Sequence, residues 1–203
     1  MSRLATVFVS LILISFAFSA NPAVGANPKP FVVPELRQWT GAKGSFTPNP
    51  TNTAITVADS SLLKIAGAFA DDYKAMFGTA LPVKVGKSAK GNFHFALKAD
   101  KKLGNEGYSI EISDRVTVTA PEKTGAFWAT RTLLQISEQS ADRSVPCGKI
   151  TDWPDYALRG LSMDVGRKFF PMSYLRDLVK VLAYYKMNSL RIHLNDNGFP
   201  YYF

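Results

Sequence analysis

Arg159-Gly160-Leu161-Ser162-Met163-Asp164-Val165-Gly166-Arg167-Lys168-Phe169-Phe170-Pro171, read together with Ser189-Leu190-Arg191-Ile192-His193-Leu194, decides how this chain folds. Leu161 to Val165 is a short apolar run and predicts a strand. Leu175, Leu178, Val179, Leu182 and Tyr185 recur at helical spacing and predict a helix over 171–186. Ser189 to Leu194 predicts a second strand. A strand, a helix and a strand of these lengths imply a parallel, right-handed βαβ unit. One such unit cannot cover both faces of its own sheet, so its cover is expected from further chain or from a partner.

Upstream the pattern is different. Thr53 to Val57 reads as a strand, and Asp59 or Ser60 can cap the helix that follows. Leu62, Ile65, Ala66, Phe69, Tyr73, Met76 and Phe77 trace one helical face, and Gly78 stands where a helix stop belongs. Leu81 to Val85 and Asn92 to Leu97 alternate like half-buried strands, with His94 on the polar side as a surface histidine. Tyr108 to Ile112 and Val116 to Thr119 are joined by the hairpin-like Ser113-Asp114-Arg115. Pro121 opens a second helix with Ala126, Ala129, Leu133 and Ile136 on one face. The expected order is β-α-β-β-β-β-α, an α+β domain whose helices pack on a mostly antiparallel sheet. Segments 27–50 and 141–154 are rich in Pro, Gly and polar residues and read as connections, apart from a short extended piece at Phe31 to Val33. The domain boundary is placed near Asp152, dividing the chain into 27–150 and 151–203. There are no internal repeats.

The first 26 residues read as a secretory signal. Arg3 supplies a positive start, Leu4 to Ala20 is almost wholly apolar, and Val24-Gly25-Ala26 offers small residues for cleavage. An uncleaved membrane anchor is the alternative, but the apolar run falls short of the roughly 20 residues a span needs. The expected location is secreted or periplasmic, with no stable membrane span after cleavage. Lys and Arg number 24 against 16 Asp and Glu. The basic residues are scattered through polar turns rather than gathered on a helix or in an Arg-rich run, which argues against nucleic acid as a partner. Cys147 is the single cysteine, so no internal disulfide forms. His94 and His193 lie too far apart for a metal-ligand spacing. No metal and no cofactor are expected, and oligomeric state is open.

Two stretches carry a family resemblance. Asn105-Glu106-Gly107-Tyr108-Ser109-Ile110, followed by Gly125-Ala126-Phe127-Trp128-Ala129-Thr130-Arg131-Thr132-Leu133-Leu134-Gln135, resembles the end of the non-catalytic domain that precedes the barrel in β-N-acetylhexosaminidases of glycoside hydrolase family 20. Ile150-Thr151-Asp152-Trp153-Pro154, the Arg159 to Pro171 stretch, Ala183-Tyr184-Tyr185-Lys186-Met187-Asn188 and His193-Leu194-Asn195-Asp196 resemble the opening of that family's catalytic (β/α)₈ barrel. The fold class expected is therefore an α+β domain followed by the first β-α-β unit of an incomplete TIM barrel.

In such barrels the chemistry collects at the C-terminal ends of the strands. Asp164 near the end of the first strand and Asp196 just after the second would point to one mouth, and Arg159 is expected at the same rim. By resemblance, Arg159 holds hydroxyls of the non-reducing sugar, for which a guanidinium offers fixed donors. Bridging the two domains is the alternative for it. Asp196 matches a carboxylate of the substrate site. Asp164 and Arg167 match a supporting ion pair near the mouth, and His193 a packed histidine inside a strand. Two positions depart from the family pattern: Lys168 stands where His is common, and Asn197 where a second acid is common.

The resemblance also implies substrate-assisted, retaining hydrolysis, in which the sugar's 2-acetamido oxygen is the nucleophile, a Glu is the acid and a neighbouring Asp orients the acetamide. That Asp-Glu pair follows the fourth barrel strand, and no Asp-Glu dipeptide occurs in these 203 residues. No catalytic residue is therefore assigned here. The chain is expected to be a fragment, inactive alone, whose partners are glycans carrying N-acetylhexosamine. A non-catalytic glycan-binding module is the alternative. Other glycosidases with a similar front domain, such as α-glucuronidases or O-GlcNAc hydrolases, open their barrels differently.

Overall fold

The structure, a computed structural model, describes residues 25–195. The 1–24 part of the expected signal, and Asp196, lie outside the described residues. Nine strands form two sheets among those described. The first sheet is built from β1 (Gln38–Phe46), β2 (Ile55–Val57), β3 (Val83–Val85), β4 (Phe93–Leu97), β5 (Tyr108–Ile112), β6 (Val116–Ala120) and β7 (Val145–Asp152). Their order across the sheet is β1-β7-β5-β6-β4-β2-β3. Two helices, α1 (Leu63–Phe77) and α2 (Lys123–Glu138), pack against it and against each other.

Local sequence explains most of these elements. The Asp59 carboxylate accepts from the Ser61 amide and starts a single 3₁₀ turn that runs into α1. Gly78, at φ 74°, ends α1 in the left-handed region that a side chain resists. Phe69 and Tyr73 of α1 meet Phe93 of β4 in edge-to-face and tilted pairs, with ring centroids 5.4 and 6.2 Å apart. Leu133 and Leu134 of α2 and Ile110, Val116 and Val118 of the central strands complete a core with no solvent exposure.

The sheet is mixed. β1-β7, β7-β5 and β5-β6 pair antiparallel, whereas β6-β4, β4-β2 and β2-β3 pair parallel. The expected antiparallel character thus holds on the β1 side and gives way on the β3 side. Two strands were not expected at all. β1 and β7 come from the segments read as connections and pair from Gln38↔Thr151 to Phe46↔Val145. Their Gly, Pro, Lys and Thr content hides the alternation that marks a strand. The glycine at 148 is required by contact: a Cβ there would stand 2.4 Å from the Trp39 ring and 2.6 Å from the Thr40 carbonyl oxygen.

His94 corrects another expectation. It lies on the polar side of β4, yet it is buried, with Nδ1 2.8 Å from the Thr56 hydroxyl. Thr56 is its register partner on β2, so the imidazole is satisfied across the strand pair rather than by solvent. Burial holds the imidazole below its ordinary pKa of 6.5.

The second sheet is the expected unit: β8 (Gly160–Asp164), α3 (Met172–Tyr184) and β9 (Ser189–His193), with β8 and β9 parallel from Gly160↔Ser189 to Asp164↔His193. α3 ends in a Schellman turn, the Met187 amide donating to Leu182 and the Lys186 amide to Ala183, at 2.8 and 2.9 Å.

Candidate functional site

Candidate site residues lie at both ends of β8, and the two ends differ in kind. At the C-terminal end, Asp164 Oδ1 accepts from the amides of Gly166 and Arg167 at 3.0 and 3.2 Å. Its Oδ2 lies 3.5 Å from Arg167 Nε, and both side chains reach solvent. His193 is the register partner of Asp164 on β9, half-buried, and its carbonyl accepts from Val165 at 3.0 Å. Asp164, Arg167 and His193 therefore share one rim. Asp164 turns the chain by capping two amides of its own loop, and the Arg167 side chain beside it is 73% exposed.

Arg159 is at the other end. It directly precedes β8, so the length of the five-residue strand, which ends at Asp164, lies between the two. Arg159 does not share the rim of Asp164 as expected, because residues at opposite ends of one strand face opposite mouths; the place of Asp196 lies outside the described residues. Each nitrogen of the Arg159 guanidinium meets protein. Nε donates to the Lys186 carbonyl at 2.8 Å, Nη1 to Tyr156 at 2.6 Å, and Nη2 to Glu106 of the first sheet's domain. The guanidinium also lies 5.6 Å from the Trp128 ring centroid. This is the domain-bridging arrangement.

Around Arg159 runs a polar seam that sequence reasoning missed. Glu106 accepts from Trp128 Nε1 at 2.8 Å and from Asn188 Nδ2 at 3.3 Å, besides Arg159. Lys186 Nζ donates to Tyr108 Oη at 2.8 Å and to Asp152 Oδ2 at 3.0 Å. Tyr108 Oη lies 2.6 Å from the Thr132 hydroxyl and 2.5 Å from Asp152 Oδ2. Lys186 and Asp152 are both buried. Burial pulls the Lys186 ammonium below the ordinary lysine range, and the Asp152 carboxylate opposes that shift. Burial, with the Asp152 charge alongside, pushes the Tyr108 phenol well above 10. A cavity of about 240 Å³ opens beside this seam, walled by Trp128, Trp153 and Tyr156. The signal was present in the Glu106-Gly107-Tyr108 and Tyr185-Lys186-Met187-Asn188 motifs, but spacing alone does not say that two motifs 78 residues apart meet.

Among the described residues no group of three or more His, Cys, Asp or Glu could hold a metal ion, and no helix is long and apolar enough to cross a membrane.

Comparison with known proteins follows the same division. Residues 29–153 match the family model "Glycosyl hydrolase family 20, domain 2", and residues 156–203 match "Glycosyl hydrolase family 20, catalytic domain". A β-N-acetylhexosaminidase of Cellulomonas fimi is 33% identical over 153 residues, covering 72% of this chain and 31% of that protein. A β-hexosaminidase of Akkermansia muciniphila is 43% identical over 98 residues, 47% of this chain and 20% of that one. In structure, a mutant Streptomyces plicatus β-hexosaminidase in complex with the product GlcNAc superposes with a TM-score of 0.71 at 27% identity, covering 86% of this chain and 36% of the other. The chain thus spans about a third or less of the length of these relatives. Two family models matched in order over 29–203, with a fold shared by solved members, establish that this chain belongs to glycosyl hydrolase family 20.

Proposed function

We propose that this chain is the front part of a β-N-acetylhexosaminidase that removes terminal N-acetylhexosamine from glycans by substrate-assisted retaining hydrolysis. The observation that carries this reading is the match to the family's domain 2 followed by its catalytic domain, in one chain whose second part is a parallel strand-helix-strand unit. Relatives named as β-N-acetylhexosaminidase and β-hexosaminidase, and a neighbour that holds GlcNAc, support the sugar class.

The rim geometry supports a revised assignment of the sugar contact. At the C-terminal end of β8, the Arg167 side chain stands beside Asp164 and reaches the surface, and a guanidinium in that position suits paired sugar hydroxyls. Arg167 therefore takes the sugar-facing role that the sequence suggested for Arg159, and Asp164 holds its backbone turn. Asp196, two residues beyond Leu194 in the chain, keeps its proposed place at the substrate site by resemblance. No Asp-Glu dipeptide occurs among these 203 residues, and by the family resemblance that pair supplies the acid, so the proposal is that the chain alone does not turn over. We also propose an exported enzyme, on the strength of the 1–26 signal pattern. Assay of the purified chain on a chromogenic N-acetylglucosaminide tests the missing-acid argument: no release above background is expected, and clear turnover would refute it.

A further inference from the structure

The unit formed by β8, α3 and β9 has almost no core of its own. Between residues 153 and 195 only Leu182 and Lys186 are buried. Two parallel strands of five residues with one helix are too small a set to be independently stable. Yet the unit is held in register, and its grips come from the first sheet's domain. Glu106 holds Arg159 and Asn188. Tyr108 and Asp152 hold Lys186. Gln135 and Glu138 of α2 hold Tyr184, the first through its carbonyl at 2.8 Å and the second through its hydroxyl at 2.5 Å. All three grips close on the N-terminal end of β8 or on the turn from α3 into β9. None touches Asp164 or Arg167.

Lys186 adds an independent sign. It occupies the C′ position of the Schellman turn at φ 57°, in the left-handed region where glycine is favoured. A lysine there is unfavourable for the local backbone, and its ammonium is unfavourable in a buried site. Both costs are tolerated where the side chain reaches across to Tyr108 and Asp152.

We propose that the seven-stranded domain is an intramolecular template: it holds the opening βαβ unit of the barrel in native register through the Glu106, Tyr108–Asp152 and Gln135–Glu138 grips, all at the end opposite Asp164. The partner this surface fits is the N-terminal end of a parallel βαβ unit. The inference stands apart from substrate identity, since every contact in it lies at the end opposite the rim.

Native-state hydrogen exchange on the full 203-residue chain tests it with two variants. Lys186→Gly improves the local turn and removes the grip. Turn chemistry alone predicts equal or higher protection across residues 160–193, whereas the template predicts at least a tenfold loss there with less than a twofold change at β4 to β6. Glu106→Gln, a milder change that keeps shape, is expected to give the same regional pattern at several-fold. Unchanged or raised protection at 160–193 in Lys186→Gly overturns the proposal. So does a loss shared equally by both regions, which would mean the unit has no separate dependence on the grips. Should Lys186→Gly not fold, the Glu106→Gln pattern decides between the same two results.

Discussion

The two sheets differ in how much of their apolar surface is covered within residues 25–195. The seven-stranded sheet buries its apolar residues under α1 and α2: Ile55, Phe69, Phe93, Ile110, Leu133 and Ile150 are all fully buried. The βαβ unit, with Leu194 just beyond it, leaves Leu161, Met172, Val179, Val181, Ile192 and Leu194 exposed by 38–68%. One region is ordered by hydrophobic burial, which is strong and non-directional. The other is placed by a few directional polar contacts at one end. Burial is thus concentrated in the seven-stranded region, and the βαβ unit meets it through polar contacts.

That contrast is broken most severely from the core. Phe69→Ala removes a buried ring that packs edge-to-face on Tyr73, Phe93 and Phe95. It is expected to cost about 3–5 kcal/mol and to lower the melting temperature of the whole chain. If the core is the foundation, loss of structure at 160–193 must accompany it in a thermal melt followed by hydrogen exchange.

Asp152→Ala strikes the seam. It leaves Lys186 buried without its charge partner and takes an acceptor from Tyr108 and from the Arg37 amide. A loss of about 3–5 kcal/mol is expected, the usual cost of breaking one side of a buried pair. Urea denaturation should show it, and a change under 1 kcal/mol would show the grip to be weak.

At the β1 edge, Gly148→Ala drives a methyl into Trp39 and Thr40. About 1–3 kcal/mol is expected, confined to the β1-β7 pair. Equal exchange in β8 and β9 before and after would sharpen the division between the two regions.

The His94 effect depends on pH. Its folded-state pKa lies below 6.5, so on acidification the unfolded chain takes up the proton first. Stability contributed at this site is full above pH 6.5 and is lost as pH falls through the folded-state value. Urea midpoints between pH 7 and about pH 5 should decline in the wild type and less steeply in His94→Gln. Equal slopes would contradict the burial assigned to this residue.

The smallest effect belongs to the exposed helix face. Val181→Ser, on α3, is expected to change stability by less than about 0.5 kcal/mol in this chain. A core-sized loss would mean that α3 is covered here after all.

Sequence reading located the elements whose patterns are local. α1 declared itself through its helical apolar face, Asp59 and Gly78, and the βαβ unit through its two apolar runs. β1 and β7 were illegible because their Gly, Thr, Pro and Lys content hides the alternation of a strand, and only pairing across about 100 residues makes them strands. At the site, Asp164 and Arg167 were legible as a pair three residues apart. Arg159 was misplaced by the motif that contains it: residues adjacent in a motif can stand at opposite ends of a strand. Glu106, Tyr108 and Lys186 were quoted as parts of motifs but not as a seam, since their chemistry exists only once two distant segments touch.

The direct measurement is a graft. The front of the Cellulomonas fimi enzyme, over the part matched by this chain, is exchanged for residues 27–203, and the chimera is assayed on a chromogenic N-acetylglucosaminide. The account predicts turnover, with at least a hundredfold loss in Arg167→Ala and far less in Asn197→Asp. A folded chimera without turnover, or one in which Arg167→Ala is as active as the parent, would contradict the placement of this chain at the front of a hexosaminidase and of Arg167 at its sugar rim.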